Sequence, residues 1–353
     1  MISAYSSLKA AWHLDKISEL REGKQVVPSQ VQLIISDLCN QNCHFCSYRS
    51  ELGFSSEEFG EDTGKGFTMN PNRKIPTDKV IEILDDCANL GVKAIQFTGG
   101  GEPTVHPDHL KIFSHAQGLG LKTGLVTNGV LLKPHPVYEK MDWIRVSLDA
   151  GTPESYKNIR ENDSFTKVVN KLDWIAKLPG VIGIGFVVTK ENYKEITQCC
   201  QIAKDKGIAY VRLSAMFSSD GFSHYDEIHG LIMEEINKSM RLKTDSFDVI
   251  NLYTNRIEDL QIGKPDYEFC GYQQFNVYIG GNQKVYRCCT TAYTHHGEIG
   301  DLTNQSFEEW FYSGYKKGKI DNFLASSCHH CQFNDKNKVI NYLLSEPLHV
   351  DFV

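Results

Sequence analysis

No run in this chain approaches the roughly eighteen uninterrupted apolar residues that a membrane-crossing helix needs, and the opening MISAYSSLKAAWHLDKISEL mixes polar with apolar positions. Neither a membrane span nor a signal peptide is read in it. A basic surplus is also missing. With 37 Lys and Arg against 44 Asp and Glu the net charge is −7, which excludes a protein held to nucleic acid by bulk charge and leaves only a local basic groove open. There is no internal repeat or low-complexity tract. The 41% of hydrophobic and 23% of charged residues exclude disordered and fibrous classes. A length of 353 residues leaves room for two or three domains with real cores. Cysteine is not scarce. Eleven of them in a large chain without export signals read as thiols or metal ligands in a reducing cytoplasm rather than as a disulfide framework.

From about residue 31, short β-branched runs alternate with segments of helical period, the pattern of βα units around a parallel sheet. Six strands are expected: VQLIIS from Val31, KAIQF from Lys93, LKTGLVT from Leu121, DWIRVSL from Asp142, VIGIGFVV from Val181 and AYVRLSA from Ala209. The clearest helix has Thr77 as its N-cap and Gly91 as its stop; a second ends at Gly207. Six such units make an open α/β barrel whose chemistry belongs in the loops at the carboxyl ends of the strands. Residues 50–75 read as a loop insertion, either a substrate lid or a surface excursion. Residues 1–30 form an extension, 31–220 the barrel, 221–263 a helical connection and 264–353 a further unit. In that last unit QQFNVYIGGNQKVYRCC reads as a β-hairpin turning at Gly280, Gly281 and Asn282.

The first strand runs into DLCNQNCHFCSYRS, which brings Cys39, Cys43 and Cys46 together. Three thiolates can hold three irons of a 4Fe–4S cluster and leave the fourth open, whereas a closed zinc site would need completion by His44 or a distant residue. The CxxxCxΦC spacing, with Phe45 as the aromatic, resembles the radical S-adenosylmethionine (SAM) enzymes. That resemblance implies a TIM-like partial (β/α)6 barrel and an open iron that chelates the methionine moiety of SAM, with Phe45 against the adenine. It also implies reductive cleavage to a 5′-deoxyadenosyl radical that abstracts a substrate hydrogen atom. Gly99, Gly100, Gly101, Glu102 and Pro103 after the second strand resemble the family's GGEP motif, which binds the SAM ammonium. Ser147 and Arg160 occupy the places of a strand-end serine and a carboxylate-pairing arginine, and Asn128 that of a polar strand-end contact. The resemblance covers about residues 31–215.

Cys270, Cys288, Cys289, Cys328 and Cys331 form a second group. Four cysteines can close a zinc ribbon. The order of a lone cysteine, a hairpin ending in a CC pair and a terminal CxxC resembles the family's SPASM or shorter twitch extension, a small hairpin and helix domain binding an auxiliary 4Fe–4S cluster. The resemblance assigns Cys270, Cys288, Cys328 and Cys331 as its ligands, one cluster only. Cys289 faces the other way along the strand and is a fallback ligand, a hydrogen donor to a substrate radical, or a small buried hydrophobe. Cys87, Cys199 and Cys200 read as structural, and His295, His296, His329 and His330 as surface or supporting groups.

An auxiliary cluster points toward oxidation. The expected function is C–H modification of a peptide or peptide-like molecule by an oxidoreductase or isomerase, reduced by a low-potential donor such as flavodoxin or ferredoxin. Oxidation of a small polar metabolite, modification of a nucleobase or nucleobase-linked group, and a non-catalytic metal-binding scaffold are the alternatives. Nucleic acid stays open as a partner; a membrane does not.

Overall fold

The computed structural model describes residues 5–49, 72–217 and 220–346. Its strands are β1 (Gln30–Leu33), β2 (Ala94–Phe97), β3 (Lys122–Thr127), β4 (Trp143–Ser147), β5 (Val181–Val188), β6 (Tyr210–Ala215), β7 (Asp248–Asn251), β8 (Asn276–Ile279), β9 (Lys284–Tyr286) and β10 (Glu298–Asp301). They form one sheet in the order β10-β9-β8-β1-β2-β3-β4-β5-β6-β7. Every neighbouring pair from β8 through β1 to β7 is parallel, and β9 and β10 add an antiparallel edge.

The α-helices are α1 (Leu14–Arg21), α2 (Thr77–Leu90), α3 (His109–Gly118), α4 (Pro136–Glu139), α5 (Pro153–Arg160), α6 (Phe165–Ile175), α7 (Ile196–Asp205), α8 (His229–Met240), α9 (Tyr253–Ile262), α10 (Tyr272–Phe275), α11 (Phe307–Tyr312), α12 (Gly314–Asp321) and α13 (Asn334–Leu344). None of the described helices is long and apolar enough to cross a membrane. All six expected strands form. Gly91 (φ 93°) and Gly207 (φ 74°) take the left-handed conformation that ends their helices at little steric cost.

Several expectations shift. Pro76, not Thr77, caps α2; Thr77 is its first residue and donates from Oγ1 to Asp108 at 2.5 Å. The segment expected as a purely helical connection contains β7, which extends the parallel sheet beyond β6. The hairpin forms from β8 and β9, but β8 also pairs with β1, so the second cysteine group hangs from the same sheet as the first. The expected insertion falls almost entirely outside the described residues. Its last residues are placed: Ile75 is buried and Arg73 pairs with Asp37.

Parallel strands covered on both faces ordinarily read as continuous apolar runs. Here only one face is apolar. Val31, Leu33, Ile95, Phe97, Ile144, Val146, Ile184, Phe186, Val211 and Leu213 belong to the main core with the helices. The alternate positions, among them Gln30, Gln32, Gln96, Arg145, Ser147, Arg212 and Ser214, line a cavity of about 1420 Å³. Cys87, Cys199 and Cys200 lie fully buried in the core, consistent with structural roles.

Candidate active site

The loop after β1 is held by backbone hydrogen bonds from two sides. Gly101 N–H donates to the Ser36 carbonyl at 3.1 Å and Glu102 N–H to the Leu38 carbonyl at 3.0 Å. This contact requires glycine: a Cβ on Gly101 would lie 2.2 Å from the Leu38 oxygen and 2.4 Å from the Asp37 carbonyl carbon. On the other side Asn42 N–H donates to the Arg160 carbonyl at 3.1 Å and His44 N–H to that of Ile159 at 3.3 Å. The loop thereby satisfies carbonyls that the end of α5 leaves without helical partners.

Cys39 lies within electrostatic reach of Cys43 and Cys46, and Cys43 of Cys46. Burial pushes Cys39 up to about 12, with the Glu102 charge adding to it, and pushes Cys43 up to about 11. Thiols so placed become thiolates when a metal charge compensates them, which suits a donor set of three sulfurs. Among the described residues no three His, Cys, Asp or Glu side chains group as ligands of a single ion. A cubane makes a different demand, because each thiolate serves its own iron.

Cys39, Cys43, Phe45, Cys46, Gly99, Gly100, Gly101, Glu102, Asn128, Ser147 and Arg160 all line the cavity, so the expected cofactor residues come together. Glu102 is 2% exposed and accepts from Thr104 Oγ1 at 2.6 Å, Thr127 Oγ1 at 2.7 Å and Asn128 N–H at 2.7 Å. Asn128 Nδ2 donates to the Asn40 side-chain oxygen at 2.7 Å, joining the end of β3 to the cysteine loop.

Arg160 is buried rather than solvated on its helix. It pairs with Asp149, donates to Gln41 Oε1 at 2.6 Å and to the Leu148 carbonyl at 3.3 Å, and comes within 3.8 Å of Cys43 Sγ. Burial is the largest influence on it and lowers its proton affinity, but Asp149, Cys43 and Tyr156 together outweigh burial and the net shift is upward. Asp149 was not singled out in the sequence, yet it sits at φ 57° and also accepts from Val187 N–H at 2.6 Å. Asp37 was equally unmarked. It is fully buried, where burial raises its carboxyl against the pull of Arg73, Tyr293 and the Gly281 amide.

In the second group Cys328 is within electrostatic reach of Cys288, Cys270 and Cys331; Cys270 is within reach of Cys288 and Cys331, and Cys331 of Cys288. Burial pushes Cys270 up to about 12 and Cys331 up to about 11. Donors surround these sulfurs. Tyr267 Oη lies 3.3 Å and Phe333 N–H 3.4 Å from Cys331 Sγ, Thr291 Oγ1 3.5 Å from Cys288 Sγ, and His296 Nε2 3.6 Å from Cys328 Sγ. Cys289 turns away. Its sulfur accepts from Gln332 Nε2 at 3.0 Å, and both residues line the main cavity. Sequence reasoning missed this second wall, because Arg256 and Lys336 reach it from segments without a motif and Gln332, though it follows the CxxC, is not itself part of one.

The two walls are tied by phenols. Tyr278 on β8 donates to the Gly99 carbonyl at 3.1 Å and meets Tyr48, while Tyr293 donates to Asp37.

Residues 33–213, just over half of the chain, match the Radical SAM superfamily. The AdoMet-dependent heme synthase of Methanosarcina barkeri is 29% identical over 179 residues, 49% of this chain and 46% of that protein. The GTP 3′,8-cyclase of Staphylococcus saprophyticus is 31% identical over 186 residues, 50% of this chain and 51% of that one. The match thus spans about half the length of these curated relatives. Among solved structures, SuiB of Streptococcus suis bound to its precursor peptide SuiA superposes with a TM-score of 0.62 at 14% identity, covering 91% of this chain and 73% of that one. Native anSMEcpe with bound AdoMet gives 0.58 at 15% identity, covering 83% of each. At these identities the likeness is one of fold. With the superfamily match lying on the strands and loops that bring Cys39, Cys43 and Cys46 beside Gly99–Glu102, the chain belongs to the radical SAM superfamily, whose cofactors are S-adenosylmethionine and a 4Fe–4S cluster.

Proposed function

We propose that this chain modifies a C–H bond of a polar substrate by SAM-derived radical chemistry, with a second 4Fe–4S cluster held by Cys270, Cys288, Cys328 and Cys331. The observation that supports this most is the position of the cavity. Cys39, Cys43 and Cys46 line it, and so do Cys289 and Gln332, the chain neighbours of Cys288 and Cys331. A substrate lodged there lies between the two thiol sets. When bound, the cofactors supply a 5′-deoxyadenosyl radical that takes a substrate hydrogen atom, and an acceptor for the second electron of a two-electron oxidation.

The chain's own part is to hold and to shield. Gly99, Gly100, Gly101 and Glu102 present backbone carbonyls and a carboxylate to an ammonium group. Asn128 and Ser147 offer polar contacts along the same wall, and Phe45 offers a ring face to an adenine. Arg160 has most of its donors engaged by Asp149, Gln41 and Leu148, so its first task is to fix the Cys43 loop, with the carboxylate of SAM as a further partner.

A peptide-like substrate remains the first reading, consistent with a cavity of about 1420 Å³. A compact polar metabolite is the second, favoured by Gln32, Gln96, Arg145 and Arg212 in the interior. A cytoplasmic flavodoxin or ferredoxin is the proposed reductant. The test is iron and sulfide per chain after anaerobic reconstitution, compared with a triple variant at Cys39, Cys43 and Cys46 to alanine. About eight irons falling to about four supports two clusters; about four falling to none removes the auxiliary one.

A further inference from the structure

Arg145 on β4 and Arg212 on β6 face the cavity on either side of β5, whose register sets Gly183 opposite Arg145 and Gly185 opposite Arg212. The two β5 positions opposite the arginines are glycines, flanked on the same face by Val181 and Val187, and a Cβ on Gly185 would already be in contact at 3.5 Å from Arg145 Cδ. From the amino-terminal segment Tyr5 closes the barrel beneath them. Its hydroxyl accepts from Arg145 at 3.1 Å and lies 3.2 Å from the Tyr210 hydroxyl, and the Arg212 guanidinium lies 5.8 Å from its ring.

Neither arginine has a carboxylate partner among the described residues. Arg212 donates weakly to Ser214 Oγ at 3.3 Å, and its Nε is buried with no hydrogen-bond partner among the described residues. The charged and titratable groups that face it are Arg145, Arg256, Tyr5 and Tyr210. Burial first, then the neighbouring Arg145 charge, lowers its proton affinity to about 10. Arg256, by contrast, has Asp259 at 3.6 Å. An interior that holds two guanidiniums side by side without a counter-charge is poorly balanced unless something anionic enters.

We infer that Arg145 and Arg212 anchor an anionic group of the substrate, a carboxylate or a phosphate, on the floor of the barrel below the expected SAM contacts. The guanidinium fork fits the paired oxygens of either group. The amides of Gln32 and Gln96 on the facing strands supply neutral donors and acceptors for the rest of a polar molecule. This rests on the proposed radical SAM reading for its site but not for its test.

The experiment is thermal unfolding of the anaerobically reconstituted holoprotein with SAM present throughout, so that SAM's own carboxylate contacts are filled. Pyrophosphate and tricarballylate are the probes, with sodium chloride at matched ionic strength as control. The expected result is a rise in midpoint of about 3 °C or more with at least one anion, lost in Arg212→Gln and in Arg145→Gln and partly kept in Arg212→Lys. The larger response assigns phosphate or carboxylate. No rise in wild type with either anion overturns the inference whatever the variants do, and so does a rise that survives both glutamine substitutions. Formation of 5′-deoxyadenosine by the wild-type protein under dithionite is scored separately. Its absence beside an intact anion response removes the radical reading and leaves this anchor standing.

Discussion

Replacing Arg160 by methionine tests whether the cysteine loop is clamped by a buried ion pair. The Arg160 and Asp149 side chains are 5% and 2% exposed, so neither charge is relieved by water when the other is removed. Breaking such a pair from one side costs on the order of 3–5 kcal/mol, because the survivor stays buried and uncompensated. Methionine keeps much of the packing volume but removes the donors to Gln41 and Leu148 as well. At about 2–4 °C per kcal/mol for a unit of 150–250 residues, the barrel should lose roughly 6–20 °C in thermal midpoint. The assay is differential scanning fluorimetry under anaerobic conditions, with the cycle completed by Asp149→Asn and the double variant. Asparagine is the right partner change, since it tolerates the positive φ of this position and retains an acceptor for Val187 N–H. The double variant should recover much of the loss, giving a coupling of about 1–3 kcal/mol. A midpoint for Arg160→Met within 2 °C of wild type (roughly 1 kcal/mol by the same conversion), or strict additivity in the cycle, refutes the clamp.

Gly101→Ala should cut SAM cleavage by about tenfold or more, measured as 5′-deoxyadenosine formed, because its Cβ must displace the Leu38 backbone and with it Cys39; a normal rate shows that the loop contact does not position the site. Cys288→Ser should remove the auxiliary irons, about four per chain, whereas Cys289→Ser should retain them; the opposite outcome in an iron assay exchanges their roles. Lys316 is 3% exposed against the Phe311 ring, and burial lowers it to about 7. A base whose folded-state value lies below its unfolded one costs stability fully below pH 7, and the cost fades as pH rises toward 10.5. Lys316→Met should therefore be the more stable protein at pH 6.5, by up to about 5 kcal/mol less any cation–π attraction lost, and the gap in midpoint should narrow by pH 9.5; a gap that is constant or widens rejects this.

The strands were legible because their β-branched runs are bounded by Gly, Asp and Thr, and the first thiol group because three cysteines and a glycine loop stand at consecutive strand ends. The choice of Cys288 over Cys289 rests on strand alternation, yet β9 ends at Tyr286 and both cysteines lie beyond it. Cys288 has the other three cysteines of the group as electrostatic neighbours, whereas Cys289 has Cys288, Arg256 and Lys336. The β7 strand was hidden in DVIN, four residues between two helices with no alternation long enough to register. Thr77 looked like a cap because threonine before a helical run usually is one. Asp149, Asp37 and Arg212 carry no local signal at all. Each is a polar residue in or beside a strand, and its meaning depends on a partner 11 residues away for Asp149 and 36 for Asp37, or on the lack of one.

The pairing of β8 with β1 decides how the two thiol groups relate. Cys39 follows β1 by a short loop, and the strand hydrogen-bonded beside β1 leads through the hairpin to Cys288. Separate domains joined by a linker would leave their spacing open to domain motion. Here the spacing is a property of one continuous sheet, and it is braced across the cavity wall by the Tyr278 bond to Gly99 and the Tyr293 bond to Asp37. Both braces end on the loops that carry the first site. A change in the connection from β9 to β10, such as Tyr293→Phe, therefore acts on Asp37 and the Cys39 loop without touching a cysteine. The carboxyl-terminal unit is in this respect part of the barrel's active wall rather than an appendage to it.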